Sequence, residues 1–136
     1  MSVDSKITTT RANSILTDIF KAGNTIALST TDPNTAFTKP SAPSYAPYTI
    51  KSGDFEAADS AITTKNHLLY GLAEESWGTI VAFGVYSGSS LIYWGLLTNP
   101  VTVDLDTVPV FKIYNEAKGE GIKVTLDVAT AAGASA

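Results

Sequence analysis

Residues Trp77 to Asn99 read WGTIVAFGVYSGSSLIYWGLLTN, and the reading of this stretch decides the fold. Two apolar runs flank Ser87-Gly88-Ser89-Ser90, a short polar link with the glycine that a tight turn wants, so the stretch is predicted to be a β-hairpin. In the first arm Val81, Phe83 and Val85 fall on one face, with Ile80, Ala82 and Tyr86 on the other. In the second arm Ile92, Trp94 and Leu96 oppose Leu91, Tyr93 and Leu97. Both faces of both arms are largely apolar, which predicts two central strands covered on both sides. Gly78, Gly84 and Gly95 interrupt these runs and mark either bulges or places where a neighbouring aromatic lies across the backbone.

N-terminal to the hairpin, one helix is predicted over Arg11–Ala22, capped by Thr9 or Thr10 and followed by Gly23. Ala12, Ile15, Leu16, Ile19 and Phe20 repeat at helical spacing and form a single apolar stripe. Thr25–Thr30 reads as a strand and Asp32-Pro33-Asn34 as a turn. The segment from Thr35 to Pro47 carries Pro40, Pro43 and Pro47, which exclude it from central sheet positions. Tyr48–Ile50 reads as a short strand, and Ile62–Thr64 with His67–Tyr70 as an edge strand in two pieces. Beyond the hairpin, Val101–Leu105 and Val108–Ile113 are predicted strands, the second placed at an edge or bulge by Pro109. Ile122–Val128 has the strictest period of two in the chain.

Many short strands after one helix predict a mainly β protein, an antiparallel β-sandwich or jelly-roll-like domain with one short N-terminal helix. The expected division is an N-terminal arm at 1–10, a single domain at 11–128 and a low-complexity tail at 129–136. The two polar ends hold almost no apolar side chains, so at least one of them is expected to be ordered from outside the domain, on an adjacent subunit's sheet edge.

Composition limits the function classes. Net charge is −4 with no basic cluster, which argues against nucleic acid as a partner. With no cysteine, disulfides, thiolate chemistry and sulfur-ligated zinc are excluded. MSVDSKITTT lacks an apolar signal core, and no window reaches the roughly 18 apolar residues of a membrane helix. The expectation is therefore synthesis in a cytoplasm and no membrane partner.

Candidate chemistry is sparse. His67 is the only histidine, so a triad or a two-histidine metal site lacks its partners, and it reads as structural or solvated. Glu74-Glu75 is a carboxylate pair, but adjacent loop residues point apart, and a solvated loop is expected. Asp104, Asp106 and Asp127 supply oxygen ligands without the spacing of a calcium loop. No cofactor, metal or catalytic residue is assigned, and the chain is expected not to be an enzyme. Trp77, Phe83, Tyr86, Tyr93 and Trp94 are the residues singled out, as core or interface aromatics. A sugar-stacking platform built from Trp77, Tyr86, Tyr93 and Trp94 is the alternative.

WGTIVAFGVY at 77–86, LIYWGLLTNPVTV at 91–103, VPVFK at 108–112 and IKVTLD at 122–127 together resemble a family of small tailed-phage virion structural proteins. Its members are commonly labelled phage tail fibre proteins. The opening is similar too, a short helix ending in glycine and then IALSTTDP at 26–33, so the resemblance spans roughly 12–127. The family's glycine-rich hairpin insert is reduced here to SGSS, and IYNEAKGEGI at 113–122 is a longer polar loop. The resemblance implies a non-catalytic virion component, assembled in the host cytoplasm and present in many copies. A capsid decoration or head-fibre-type subunit is expected, or alternatively a tail-fibre or baseplate-associated module contacting the host surface through carbohydrate. Other virion proteins are the implied partners, and a homo-oligomer is expected, with a trimer favoured by analogy. The capsid surface is then the other expected seat for a polar end.

Overall fold

A computed structural model describes residues 7–59, 61–126 and 128–129. The elements in chain order are β1 (Ile7–Thr8), α1 (Thr9–Ile19), β2 (Thr25–Ser29), β3 (Tyr48–Thr49), β4 (Ala61–Thr63) and β5 (Leu68–Leu69). They continue with β6 (Gly78–Ser87), β7 (Ser90–Val103), β8 (Val110–Phe111), β9 (Lys123–Thr125) and β10 (Val128–Ala129). The protein is mainly β with one helix, and its main sheet is antiparallel in the order β3-β2-β6-β7.

The predicted hairpin is the pair β6–β7, closed by Ser87 opposite Ser90 with Gly88 at φ +61°. The bulges do not fall at the glycines. Ile92 is one extra residue between the Val85–Tyr93 and Tyr86–Leu91 pairs, and Leu97–Pro100 loop out between Ala82–Leu96 and Ile80–Val101. Pro100 explains the larger interruption, because it has no N–H to give to the ladder. Pairing resumes at Val101, so the separate strand expected over Val101–Leu105 is the far end of β7. Gly84 and Gly95 serve the other predicted purpose. A Cβ on Gly95 would sit 2.8 Å from the Phe83 ring, and one on Gly84 would sit 2.5 Å from the Phe37 ring.

One face of the sheet, carrying Ile26, Val85 and Phe83, packs on Leu16, Ile19 and Phe20 of the helix region. The same cluster takes in Ile62, Leu68, Ile122 and Val124 from the second layer. That layer is not a continuous sheet. It consists of α1 and two separate antiparallel ladders, β4–β9 and β5–β8. A second cluster of Leu28, Tyr70, Ala73, Trp77, Ile80 and Val103 joins the first through Tyr48, Leu97 and Phe111, which touch both. Thr64 ties the layer together: its hydroxyl donates to Lys112 C=O at 2.9 Å and accepts from Ile122 N–H at 3.1 Å.

Three expectations need correction. The helix starts and stops earlier than Arg11–Ala22, because Thr8 is the cap, its hydroxyl accepting from Arg11 N–H at 3.3 Å. At the other end the Asn24 side-chain amide donates to Ile19 C=O at 2.9 Å, satisfying a terminal carbonyl and releasing Phe20 into the core. The end of the expected arm is also joined to the domain. Ile7 and Thr8 pair in parallel with Val128, inside the expected domain, and with Ala129, the first residue of the expected tail. The rest of both ends lies outside the described residues. Lastly, of the two hairpin strands only β6 is covered on both faces. β7 ends the sheet and most of its residues are exposed, while Tyr93, Leu97 and Val103 reach the core clusters.

Candidate docking edge

The long second arm of the hairpin is the feature of the surface least explained by the fold itself. β7 runs for 14 residues and contains no charged side chain. Among the described residues it pairs with β6 alone, so its outer row of N–H and C=O groups faces solvent. Register assigns its side chains. Tyr93 opposes Val85 and turns to the core, while Trp94 opposes Gly84 and Leu96 opposes Ala82 on the outer face. Leu91, Ile92 and Leu96 are 37%, 40% and 53% exposed. Along the lower half of β7, Leu97, Val101 and Val103 form one wall of an apolar cleft of about 80 Å³, with Val110 and Phe111 as the other.

The five aromatics singled out from the sequence are not brought together. Trp77, 3% exposed, lies in the second cluster with Tyr45 edge-on at 5.3 Å, and its indole N–H donates to Ser44 Oγ at 2.9 Å. Phe83 is buried under Gly95, and Tyr93 packs between Phe83 and Phe20. Tyr86 and Trp94 lie on the outer face, both partly buried. Phe37 meets the Tyr86 ring edge-on at 5.6 Å and the Lys39 ammonium sits 4.2 Å from its centroid. With Trp77 and Tyr93 turned inward, the four rings do not make one sugar platform. Trp94 alone belongs to the exposed edge.

The polar candidates have structural partners. His67 Nδ1 accepts the Ile113 N–H at 3.0 Å, which joins the segments leading to β5 and away from β8. Glu75 accepts from both the hydroxyl and the N–H of Ser44, at 2.5 and 2.8 Å, and so clamps the proline-rich loop to the start of the hairpin. Those two bonds, the hydroxyl's first, hold its carboxyl below the usual range. Asp104 and Asp106 lie at the turn after β7, Asp127 lies outside the described residues, and no metal-binding group of three ligands occurs among the described residues. No helix there is long and apolar enough to cross a membrane.

Two features escaped the sequence reading. Asp54, given no role from the sequence, is a buried carboxylate that accepts from Tyr48 O–H at 2.7 Å and Lys51 N–H at 2.8 Å. Burial, then the hydrogen bond to Asp54, pushes the Tyr48 phenol up to about 12. The other is the free edge. Pro100 carried its signal, since a proline inside a strand places that strand at a sheet edge, the rule applied to Pro109 and not here. Comparison of the chain with family models, with curated proteins and with solved structures found no significant match.

Proposed function

We propose that this chain is a non-enzymatic bacteriophage virion structural protein, a capsid-decoration or head-fibre-type subunit on the particle surface. Its work is to pack, against other virion proteins and against its own copies. The observation that supports this reading is the hairpin. Residues 77–103, where the resemblance to small tailed-phage structural proteins is most specific, form a strand pair whose outer member is long, uncharged and uncovered. An exposed apolar edge of that kind is a liability in a freely diffusing monomer and an asset in an assembly. The inward turn of Trp77 and Tyr93 removes half of the ring set that a carbohydrate site would use.

The test is to purify the phage particles that encode this chain, identify their proteins by mass spectrometry and reconstruct the particle. Many copies on the head surface are expected. Copies confined to the tail tip or baseplate would move the protein to the tail-fibre alternative. Its absence from purified particles would end the virion reading.

A further inference from the structure

We infer that the upper half of β7, Ser90–Leu97, is a pairing edge for the same strand of a second copy of this chain, joined antiparallel across a two-fold axis. The Ile92 bulge is the one guard on this edge, and the others are missing. Between Ser90 and Leu97 there is no charge and no proline, and three large apolar side chains stand partly in water. The loop-out at Leu97–Pro100 closes this stretch at its far end, and the Ile92 bulge divides it into Ser90–Leu91 and the regular run Tyr93–Leu96.

The identity of the occupant follows from the edges this chain offers. Among the described residues the main sheet has two, β7 and β3. β3 is Tyr48–Thr49, two residues long and preceded by Pro47, so it can accept very little of a neighbour's β7. A head-to-tail contact through the sheet, which a three-fold ring or an open fibre would need, therefore lacks a matching second edge. β7 against β7 matches this upper half with itself and is self-complementary. Two copies then share one continuous sheet of eight strands, four from each. The net charge of −4 would set copies against each other, yet none of that charge lies on β7. On the outer face, Leu91, Trp94 and Leu96 of the two copies meet near the axis. An eight-residue edge with these side chains is smaller than the roughly 800 Å² per partner of a standard interface, so a reversible, micromolar association is expected. The pairing is independent of whether the chain is a virion component.

Sedimentation velocity on the full chain, from micromolar to millimolar concentration, gives the first readout. A reversible shift from 14.3 kDa to twice that mass is expected. Leu96→Lys places two ammonium groups near the axis and should weaken association by more than about tenfold. Leu69→Lys, at an equally exposed leucine on β5, should leave it unchanged. Circular dichroism melting of each variant checks that the fold survives. Hydrogen exchange gives the second readout, with the amides of 90–97 gaining protection as concentration rises. A monomer at every concentration, a trimer, equal weakening by both lysines, or exchange at 90–97 indifferent to concentration would each overturn the proposal. So would a monomer that docks on particles lacking the protein and loses that binding with Leu96→Lys, since the edge would then belong to a different virion protein.

Discussion

β6 and β7 are two arms of one hairpin with nearly the same apolar content, and the tertiary structure treats them oppositely. β6 lies between β2 and β7, with Phe83 and Val85 against the helix layer and Gly84 beneath Phe37. Among the described residues β7 has a neighbour on one side only, and Leu96 and Val101 stand about half exposed. Hydrophobicity in a strand therefore states that a surface needs covering. Whether the cover comes from the same chain depends on how many other elements are at hand.

The largest expected effect tests that contrast directly. Phe83→Ala should cost about 3–5 kcal/mol in urea unfolding, a large part of a domain's total of about 5–15 kcal/mol. Leu96→Ala, in dilute protein, should stay within roughly 0.5 kcal/mol. Similar losses for the two would show that β7 is covered within the monomer after all.

Next come the two glycines where the arms approach aromatic rings. Gly95→Ala should cost about 1–3 kcal/mol by forcing the Phe83 ring aside, and Gly84→Ala should do the same to Phe37. Only the first disturbs the buried face. Near-ultraviolet dichroism should therefore change more for Gly95→Ala, and equal changes would mean that the outer face is as tightly packed as the inner.

A third, smaller effect separates the two tryptophans. In dilute protein iodide should quench Trp94 and leave Trp77 shielded, so the Stern–Volmer plot of the wild type should bend downward. Trp94→Phe should leave only the shielded component. Trp94→Ala should cost about 1–2 kcal/mol, less than a core aromatic. A linear, shielded response from wild type would bury Trp94 and remove the distinction between the arms at that point.

The smallest effect concerns the loop clamp beside the hairpin. Glu75 has a depressed folded pKa, so its contribution is fully present above its ordinary value of 4.5 and is lost as pH falls through the lower folded value. Amides of the segment around Ser44 should exchange faster below that pH, and Glu75→Gln should show the faster exchange at neutral pH too. Exchange at Ser44 that ignores both changes would show that the clamp does not hold the loop.

The reading of particular residues shows where sequence reasoning held. Ala12, Leu16 and Ile19 are buried along the helix and Ile15 partly so, since an apolar face at helical spacing has one direction to turn. Ile122, Val124 and Leu126 alternate with exposed Lys123 and Thr125, since the period of a strand is local. The turn at Ser87–Ser90 formed where a glycine and small polar residues permit it. The candidate aromatics were a different matter. Trp77 and Trp94 look alike in sequence, each followed by glycine in an apolar run, yet one is interior and the other belongs to the edge. That outcome depends on Tyr45 arriving from a distant loop to close over Trp77, and on Trp94 falling on the outer face of the rim strand.

By itself, then, the sequence determined the hairpin, the helix and its buried stripe, and the mainly β character, because turns, periodicity and residue shape act over a few neighbouring positions. Sheet order was decided only in three dimensions. Which strand became the rim, which glycine accepted a ring, and how Ile7–Thr8 met Val128–Ala129 all depend on contacts between residues far apart in the chain. A long-range pairing forms where it buries the most surface for the chain entropy lost, and no local pattern carries that comparison.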